Sequence, residues 1–214
     1  MLSAVRAEDV PVDPLRPLLI VDVDEVLAFF LRGFQGFLNG RGYELRMTSF
    51  ALFQNLYALG GTKAVAFEEG KALFDDFWEH HTDRLEPVPG AAESLAQLSV
   101  TAQIVVLTNA PTAAREGRAR WLKAHGMDYP LIINAGLKGP ECARLAARTS
   151  GPAVFVDDLL PNLLSVAQEA PAITLFQSVA DPVLRPLAPT DSAVCARHDD
   201  WATLLPALER ALRA

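Results

Sequence analysis

The chain has little cysteine and no long hydrophobic run. Cys142 and Cys195 are its two cysteines, and neither lies in a C-x-x-C or His-paired pattern, which indicates a reducing compartment. No apolar stretch approaches the roughly 18 residues of a membrane-spanning helix, so a membrane span is not expected. Residues 1–17 carry three acidic residues and no basic segment before an apolar block, unlike a signal peptide. We therefore expect a cytoplasmic protein without a membrane partner.

Basic residues are also few and scattered. The chain has 19 lysine and arginine residues against 26 aspartate and glutamate residues, a net charge of −7. Without a basic cluster, no nucleic-acid polymer is expected as a partner. A small anionic substrate remains compatible with this charge, because a bound divalent cation reverses the local sign. The length of 214 residues fits one mid-sized domain, or a core with an inserted subdomain.

Short apolar runs that alternate with helical patterns indicate the fold. Strands apolar on both faces and separated by helices are typical of a parallel sheet covered on both sides. The sequence therefore predicts an α/β fold, a Rossmann-like doubly wound parallel sheet. The predicted strands are Leu18–Val21, 103–107, 131–133, 153–156 and 173–176. The predicted helices are Ala91–Leu98, 112–125, 141–147 and 202–212, the last capped by Asp199.

Residues 29–85 separate the first predicted strand from the rest of the sheet. This segment holds 12 of the 17 aromatic residues. Its pattern predicts helices over Phe30–Asn39, 49–59 and 62–80, with Thr62 as the N-cap of the third. We expect a small α-helical cap, inserted after the first strand and covering the edge of a cleft. The core then consists of residues 1–28 and 86–214.

Polar residues follow three of the predicted strands. Asp22 and Asp24 follow the first, Thr108 follows the second, and Asp157 and Asp158 follow the strand over 153–156. Ligands of open α/β sheets bind outside the carboxyl ends of the strands, which predicts one shared cleft. Two carboxylates one residue apart at the end of a buried strand repel each other unless a cation or a phosphate meets them.

These residue types match the parts that phosphoryl transfer to a carboxylate requires. Asp22 is the candidate nucleophile. Asp24, which points to the same side in extended backbone, is the candidate acid and base. The Thr108 hydroxyl and the backbone N–H of Asn109 are candidate donors to the phosphoryl oxygens, and Lys138 is the candidate fixed positive charge.

A hard cation completes the predicted site. Mg²⁺ is expected, held by Asp22, by the carbonyl of Asp24, and by Asp158 or Asp157. Of that acidic pair, Asp158 is the preferred ligand and Asp157 is the alternative.

The four motifs in this order resemble those of the haloacid dehalogenase-like superfamily. Its first motif, D-x-D-x-[TV]-[LV], matches residues 22–27, and its second and third match Thr108 and Lys138. Its fourth, an acidic pair after an apolar strand, matches residues 155–158. The resemblance covers residues 18–170 and places 29–85 where the family inserts a cap. It implies that Asp22 is the nucleophile and Asp24 the acid and base.

The resemblance also points to a branch of the family. Dehalogenase members lack the second aspartate of the first motif, so Asp24 favours a phosphatase or phosphomutase. Residues 21–42 and the turn at 85–91 are loosely similar to 5′(3′)-deoxyribonucleotidases, whose cap aromatics shape a base pocket. Phe29 and Phe30 are the candidate substrate contacts. Glu25 and Asn162 depart from the pattern. Glu25 adds negative charge at the cleft, and Asn162 replaces an outer carboxylate.

The sequence thus predicts a Mg²⁺-dependent phosphomonoester hydrolase that acts through an aspartyl phosphate. The expected partner is a small phosphorylated metabolite, with a (deoxy)nucleoside monophosphate as the first candidate. One alternative is a phosphomutase of the same family. Another is a non-catalytic binding or regulatory protein that keeps the fold. A phosphoreceiver domain is disfavoured, because its acidic pair precedes the phosphoacceptor aspartate.

Overall fold

A six-stranded parallel sheet forms the centre of the protein. The computed structural model describes residues 6–213. The sheet order is β5-β4-β1-β6-β7-β8, and every neighbouring pair is parallel, which confirms the predicted α/β class. The strands are β1 (Leu18–Val21), β2 (Tyr43–Leu45), β3 (Leu56–Ala58), β4 (Gln103–Asn109), β5 (Leu131–Asn134), β6 (Ala153–Asp157), β7 (Thr174–Gln177) and β8 (Ala196–Arg197).

Helices cover both faces of this sheet. The helices that flank the sheet are α3 (Ala91–Leu98), α4 (Arg115–Ala124), α5 (Gly139–Ala146), α6 (Leu160–Glu169) and α7 (Trp201–Ala211), whereas α1 (Phe30–Asn39) and α2 (Phe67–His80) belong to the inserted segment. Short 3-10 turns lie at Ala7–Asp9, Phe53–Asn55, Thr82–Arg84 and Thr112–Ala114. Within residues 6–213, none of the helices has the length and hydropathy to cross a membrane.

The alternation of side chains along β1 divides the core into two layers. Leu19 and Val21 pack on one face with side chains of α3, α4 and α7. Leu18 and Ile20 pack on the other with side chains of α5 and α6. All four residues of β1 are fully buried. Burial on both faces explains why this central parallel strand is a continuous apolar run in the sequence. The strand order reverses beside β1, so the ends of β1, β4 and β6 border one crevice.

The segment 29–85 contains a hairpin that the sequence did not predict. Strands β2 and β3 pair antiparallel, and no α-helix forms over 49–59, where the structure has only the 3-10 turn Phe53–Asn55. The buried side chain of Asn55 explains this difference. Its carbonyl oxygen accepts from the backbone N–H of Thr48, and its amide donates to the carbonyl oxygen of Ser49. These side-chain bonds hold the connection as a loop in place of an α-helix, and the prediction of a helix over 49–59 is wrong.

Helix α2 begins at Phe67, so the prediction of a helix from Thr62 is also wrong. The backbone before it is extended, because the N–H of Val65 donates to the carbonyl oxygen of Leu56 at 2.9 Å. Ala66 occupies the N-cap position, with no side-chain hydrogen bond. A strand contact therefore replaces the first turn of the predicted helix.

The last helix is capped by Asp200 rather than by the predicted Asp199. The carboxylate of Asp200 accepts from the N–H of Thr203 at 2.8 Å. Asp199 instead accepts from Arg197 Nε at 2.9 Å and from the N–H of Val179 at 3.1 Å. Either aspartate satisfies the capping pattern, and the short strand β8, which the sequence did not predict, decides which one faces the helix.

The connection between β7 and β8 packs against the inserted segment. A small apolar cluster joins the two, with Val179, Leu184 and Ala188 on the side of the connection. From the inserted segment it includes Leu31, Leu45, Met47, Phe50 and Leu52. The inserted segment therefore contacts the core not only at its two ends, near residues 29 and 85, but also through this cluster.

Helices α5 and α6 approach closely at Gly139, the first residue of α5. A Cβ at this position would lie 2.4 Å from Ser165 Oγ and 2.5 Å from the Ser165 carbonyl oxygen. The N–H of Gly139 also donates to Ser165 Oγ at 3.2 Å. The missing side chain thus allows the helix contact that holds the preceding residue, Lys138, in place.

Gly139→Ala is expected to destabilise the protein by about 1–3 kcal/mol, because backbone atoms of α6 would have to move to admit a methyl group. Gly36→Ala is the matched control. Gly36 lies inside α1 with no atom within 4 Å of an added Cβ, so that change is expected to stabilise by about 0.5–1 kcal/mol. Urea unfolding of both variants measures the difference. Equal effects would contradict the close-packing account.

Candidate active site

Asp22 and Lys138 meet at the carboxyl end of β1. Asp22 follows the strand directly, and its N–H still donates to the carbonyl oxygen of Val156 at 3.0 Å. Lys138 Nζ lies 2.7 Å from Asp22 Oδ1 and 2.6 Å from Asp157 Oδ2. All three side chains are buried. The structure thus brings together three predicted site residues that are far apart along the chain: Lys138 lies 116 positions after Asp22 and 19 positions before Asp157.

The charge of Lys138 is maintained by its two carboxylate partners. Burial alone would lower the pKa of this lysine, but Asp157 and Asp22 together raise it above its ordinary value. Lys138 is therefore a cation at neutral pH. A buried ammonium within reach of Asp22 is suited to stabilising negative charge that develops beside that carboxylate.

Asp157 and Asp158 have different surroundings, although they are adjacent. Both oxygens of the Asp157 carboxylate accept from Asn162 Nδ2. Oδ1 also accepts from the N–H of Leu159, and Oδ2 also accepts from Lys138 Nζ. Asp158, 7% exposed, lines the cleft. Asn162, which departs from the family pattern, thus supplies donors to Asp157. A carboxylate at position 162 would repel Asp157 instead.

The acidic residues fit a divalent cation. Ligand oxygens of Asp22, Asp157 and Asp158 lie within 4.8 Å of one another. Burial raises the pKa of Asp157 to about 6, against the lowering effect of Lys138. Burial, followed by the charges of Asp157 and Asp22, raises the pKa of Asp158 well above its ordinary value. Three carboxylates and one ammonium leave excess negative charge, and hard oxygen donors of this kind are the ligands that Mg²⁺ prefers.

Thr108 supplies a buried hydroxyl beside this cluster. It lies in β4, next to β1 in the sheet, and it is fully buried. Within residues 6–213, its Oγ1 atom has no hydrogen-bond partner. A buried hydroxyl without a partner is costly, and an anionic oxygen bound here would satisfy it. The predicted donor Asn109 lines the cleft, and its side-chain amide donates to the Gly136 carbonyl oxygen at 3.0 Å.

Asp24 contacts an arginine that the sequence analysis missed. Arg118 Nη2, on α4, donates to Asp24 Oδ1 at 2.7 Å, and the arginine side chain is fully buried. Burial raises the pKa of Asp24 to about 6, while the positive charge of Arg118 opposes that rise. Helical spacing was an available signal, since Trp121 and Leu122 place position 118 on the apolar face of α4.

Glu25 is buried and lies in the left-handed backbone region, with φ 58°. Its carboxylate accepts from the N–H of Leu31 at 2.8 Å and from the N–H of Asp181 at 3.2 Å. Burial raises the pKa of Glu25 to about 7. Glu25 therefore joins the start of α1 to the connection after β7, while it also lines the cleft.

The cleft above the carboxylates has a volume of about 270 Å³ and a largely apolar wall. Of the two predicted substrate contacts, Phe30 lines it. Phe29 lies outside that lining, with the Arg32 guanidinium 3.6 Å from its ring centroid. The connection after β7 contributes Leu184. The remaining apolar lining residues of the inserted segment are Leu31, Met47, Phe50, Ala51, Leu52, Phe74 and Trp78.

Comparisons with known proteins support the fold assignment. No protein-family model matches the chain, and no curated protein sequence matches it. Solved structures of haloacid dehalogenase-like proteins do match it. A predicted phosphoglycolate phosphatase from Haemophilus somnus superposes with a TM-score of 0.56 at 14% identity, over 92% of this chain and all of that one.

Two further solved structures give the same result. An inferred β-phosphoglucomutase from Thermotoga maritima has a TM-score of 0.57 at 16% identity, covering 92% of this chain and 100% of that chain. The HAD-hydrolase candidate YfnB from Bacillus subtilis, solved with bound magnesium, has a TM-score of 0.56 at 12% identity, covering 92% and 99%. At such low identity these matches establish that the chain shares the haloacid dehalogenase-like fold.

Magnesium is expected to stabilise the protein more strongly at high pH than at low pH. The folded state holds protons on Asp157 and Asp158 more tightly than the unfolded chain does, because burial raises the pKa of Asp157 to about 6 and raises that of Asp158 well above its ordinary value. These groups therefore lower stability as pH rises from the unfolded-state pKa of an aspartate through these raised values. The cation competes with those protons. Thermal unfolding with and without millimolar MgCl₂ should give a larger increase in Tm at about pH 8 than at about pH 5.

Asp158→Asn provides the control for this measurement. The variant should have a higher Tm than the unsubstituted protein in the absence of magnesium, because one buried negative charge is gone. The variant should also lose most of the increase in Tm that MgCl₂ produces. NaCl at matched ionic strength should not produce that increase in either protein. An equal increase in Tm at both pH values would refute the proposed cation site.

Proposed function

We propose that this chain is a Mg²⁺-dependent phosphomonoester hydrolase of the haloacid dehalogenase-like superfamily, acting through an aspartyl phosphate on a small phosphorylated metabolite. The convergence at the end of β1 carries the proposal. Asp22, Asp157 and Asp158 gather there, and Lys138 pairs with the first two. The Thr108 hydroxyl, which has no hydrogen-bond partner among the described residues, lies on the adjacent strand. These are the parts of a site that accepts a phosphoryl group and balances its charge.

Each residue has a distinct role in the proposed reaction. The Asp22 carboxylate attacks phosphorus and becomes the aspartyl phosphate. Lys138, the Thr108 hydroxyl and the Asn109 N–H stabilise the phosphoryl oxygens. Asp24 protonates the leaving oxygen, and as a carboxylate it then accepts a proton from the water that hydrolyses the intermediate.

The magnesium ligands in this proposal are the side chains of Asp22 and Asp158 and the backbone carbonyl of Asp24. Asp157 is assigned instead to holding Lys138, because its oxygens already accept from Lys138, Leu159 and Asn162. When bound, the cation would neutralise charge on the phosphoryl oxygens and on the Asp22 carboxylate.

Asp22→Asn is expected to abolish phosphatase activity while the fold persists, because an amide is a far weaker nucleophile than a carboxylate. Steady-state hydrolysis of 4-nitrophenyl phosphate with magnesium measures the loss, and circular dichroism checks the fold. Asp128→Asn is the control, since Asp128 is exposed and pairs with Lys123 at 3.8 Å. Turnover by Asp22→Asn at the rate of the unsubstituted protein would refute the mechanism.

The apolar cleft supports a substrate whose leaving group is uncharged and aromatic or aliphatic. The lining residues include Phe30, Phe74 and Trp78, and none of those described is basic. A second anionic group on the substrate would therefore find no cationic partner there. The volume of about 270 Å³ suits a small ligand. A (deoxy)nucleoside monophosphate remains the first candidate, and the aromatic rings would pack against its base.

A panel of phosphate esters tests this substrate class. Nucleoside monophosphates and aryl phosphates should have kcat/KM values at least about tenfold above those of phosphoglycolate and sugar bisphosphates, since an unpaired buried charge is costly. Trp78→Ala should raise KM for the preferred esters. Phe67→Ala, on the same helix but 58% exposed and outside the cleft, should leave KM unchanged. Preference for the doubly charged esters would contradict the proposal.

A phosphomutase is the second candidate, favoured by the structural likeness to the inferred β-phosphoglucomutase. Such an enzyme returns the phosphoryl group to the substrate instead of to water. Incubation with a labelled sugar phosphate distinguishes the two reactions, because a hydrolase releases inorganic phosphate and a mutase yields an isomeric sugar phosphate. A non-catalytic binding protein would bind these esters and release neither product.

A further inference from the structure

Arg118 connects the candidate acid and base to the inserted segment. Its Nη2 atom donates to Asp24 Oδ1 at 2.7 Å, and its guanidinium carbon lies 4.9 Å from the ring centroid of Trp78 on α2. The arginine side chain is fully buried, whereas the Asp24 side chain is 19% exposed. One buried cation therefore contacts both a residue at the end of β1 and an aromatic residue of the cleft wall.

Stability alone gives a poor account of an arginine at this position. Within residues 6–213, Nε and Nη1 of Arg118 have no hydrogen-bond partner. A buried guanidinium with unsatisfied donors is costly, and a hydrophobic side chain of similar volume often serves the fold as well or better. The face of the Trp78 ring compensates for part of this cost through a cation–π interaction.

We propose that Arg118 is a positioning residue that fixes the Asp24 carboxylate for proton transfer to the leaving group. The proposal rests on the function proposed above, because it requires Asp24 to act as the acid. Holding Oδ1 leaves Oδ2 as the oxygen available to the substrate. General acid catalysis depends on hydrogen-bond geometry between the acid and the leaving oxygen, so a freely rotating Asp24 carboxylate is less effective.

Trp78 makes the same arginine sensitive to the inserted segment. The Trp78 ring packs against Phe30 at 5.4 Å and against Phe74 at 5.8 Å between centroids, and all three line the cleft. A leaving group in the cleft would contact this aromatic layer. Arg118 contacts both this layer, at Trp78, and Asp24, so the placement of α2 and the placement of the acid are linked through its side chain.

The positioning role is tested by comparing substrates whose leaving groups differ in their need for an acid. A role of Arg118 in stability alone would affect the hydrolysis of both substrates equally. Expulsion of 4-nitrophenolate needs little protonation, whereas expulsion of an alkoxide needs an acid. For Arg118→Met, kcat/KM with an alkyl phosphate should fall by about 100-fold, while kcat/KM with 4-nitrophenyl phosphate should fall less than about threefold. The ratio kcat/KM is the quantity compared because it excludes hydrolysis of the aspartyl phosphate, which uses Asp24 with either substrate. Asp24→Asn should show the same selective loss, and Arg118→Lys should restore part of the alkyl phosphate activity.

Arg120→Met is the matched control. Arg120 lies on the same helix, is 66% exposed and pairs with Glu116 at 3.9 Å, so both substrates should be hydrolysed at the unsubstituted rate. Equal losses of kcat/KM for the two substrates in Arg118→Met would overturn the positioning role. If that variant does not fold, the same comparison is made with Arg118→Lys, where equal losses again overturn it. The proposed function itself fails separately, through retained activity of Asp22→Asn.

Discussion

The charge balance around Lys138 is the constraint on which the rest of the site depends. Three carboxylates with oxygens within 4.8 Å of one another are buried at the ends of β1 and β6, and one ammonium lies between two of them. Without it, their mutual repulsion and desolvation would oppose folding. With the Lys138 ammonium in place, the three carboxylates still leave excess negative charge, which favours binding of a cation. The close contact of α5 with α6 at Gly139 holds the lysine where this balance requires it.

A second set of buried contacts joins the inserted segment to this centre. Glu25 accepts from the first turn of α1 and from the N–H of Asp181, and the Asp181 carboxylate in turn accepts from Arg32 Nε at 2.8 Å. Arg32 also pairs with Glu86 on the returning linker at 3.3 Å. Glu25, the residue directly after the D-x-D motif, thus joins the inserted segment to the connection after β7, a structural role that its charge alone does not indicate.

The sheet and the residues at its strand ends were predictable, because buried parallel strands leave continuous apolar runs and their carboxyl ends are fixed by the fold. Asp22, Lys138, Asp157 and Asp158 accordingly gather as the motifs indicated. The inserted segment was less predictable. Asn55 and Val65 make contacts across the hairpin that override local helical preference, and no short-range pattern reports such contacts. Arg118 was missed because a basic residue on an amphipathic helix is usually solvated.

The apolar cluster shared by the inserted segment and the β7–β8 connection has an evolutionary consequence. Leu184 and Met47 belong both to that cluster and to the wall of the cleft, yet neither lies on a strand that carries a charged site residue. Two loops that are distant in sequence therefore form part of the cleft wall, while the residues of the proposed reaction lie at the edge of the sheet. Divergence in those loops can redirect such a scaffold to new metabolites while its chemistry stays unaltered.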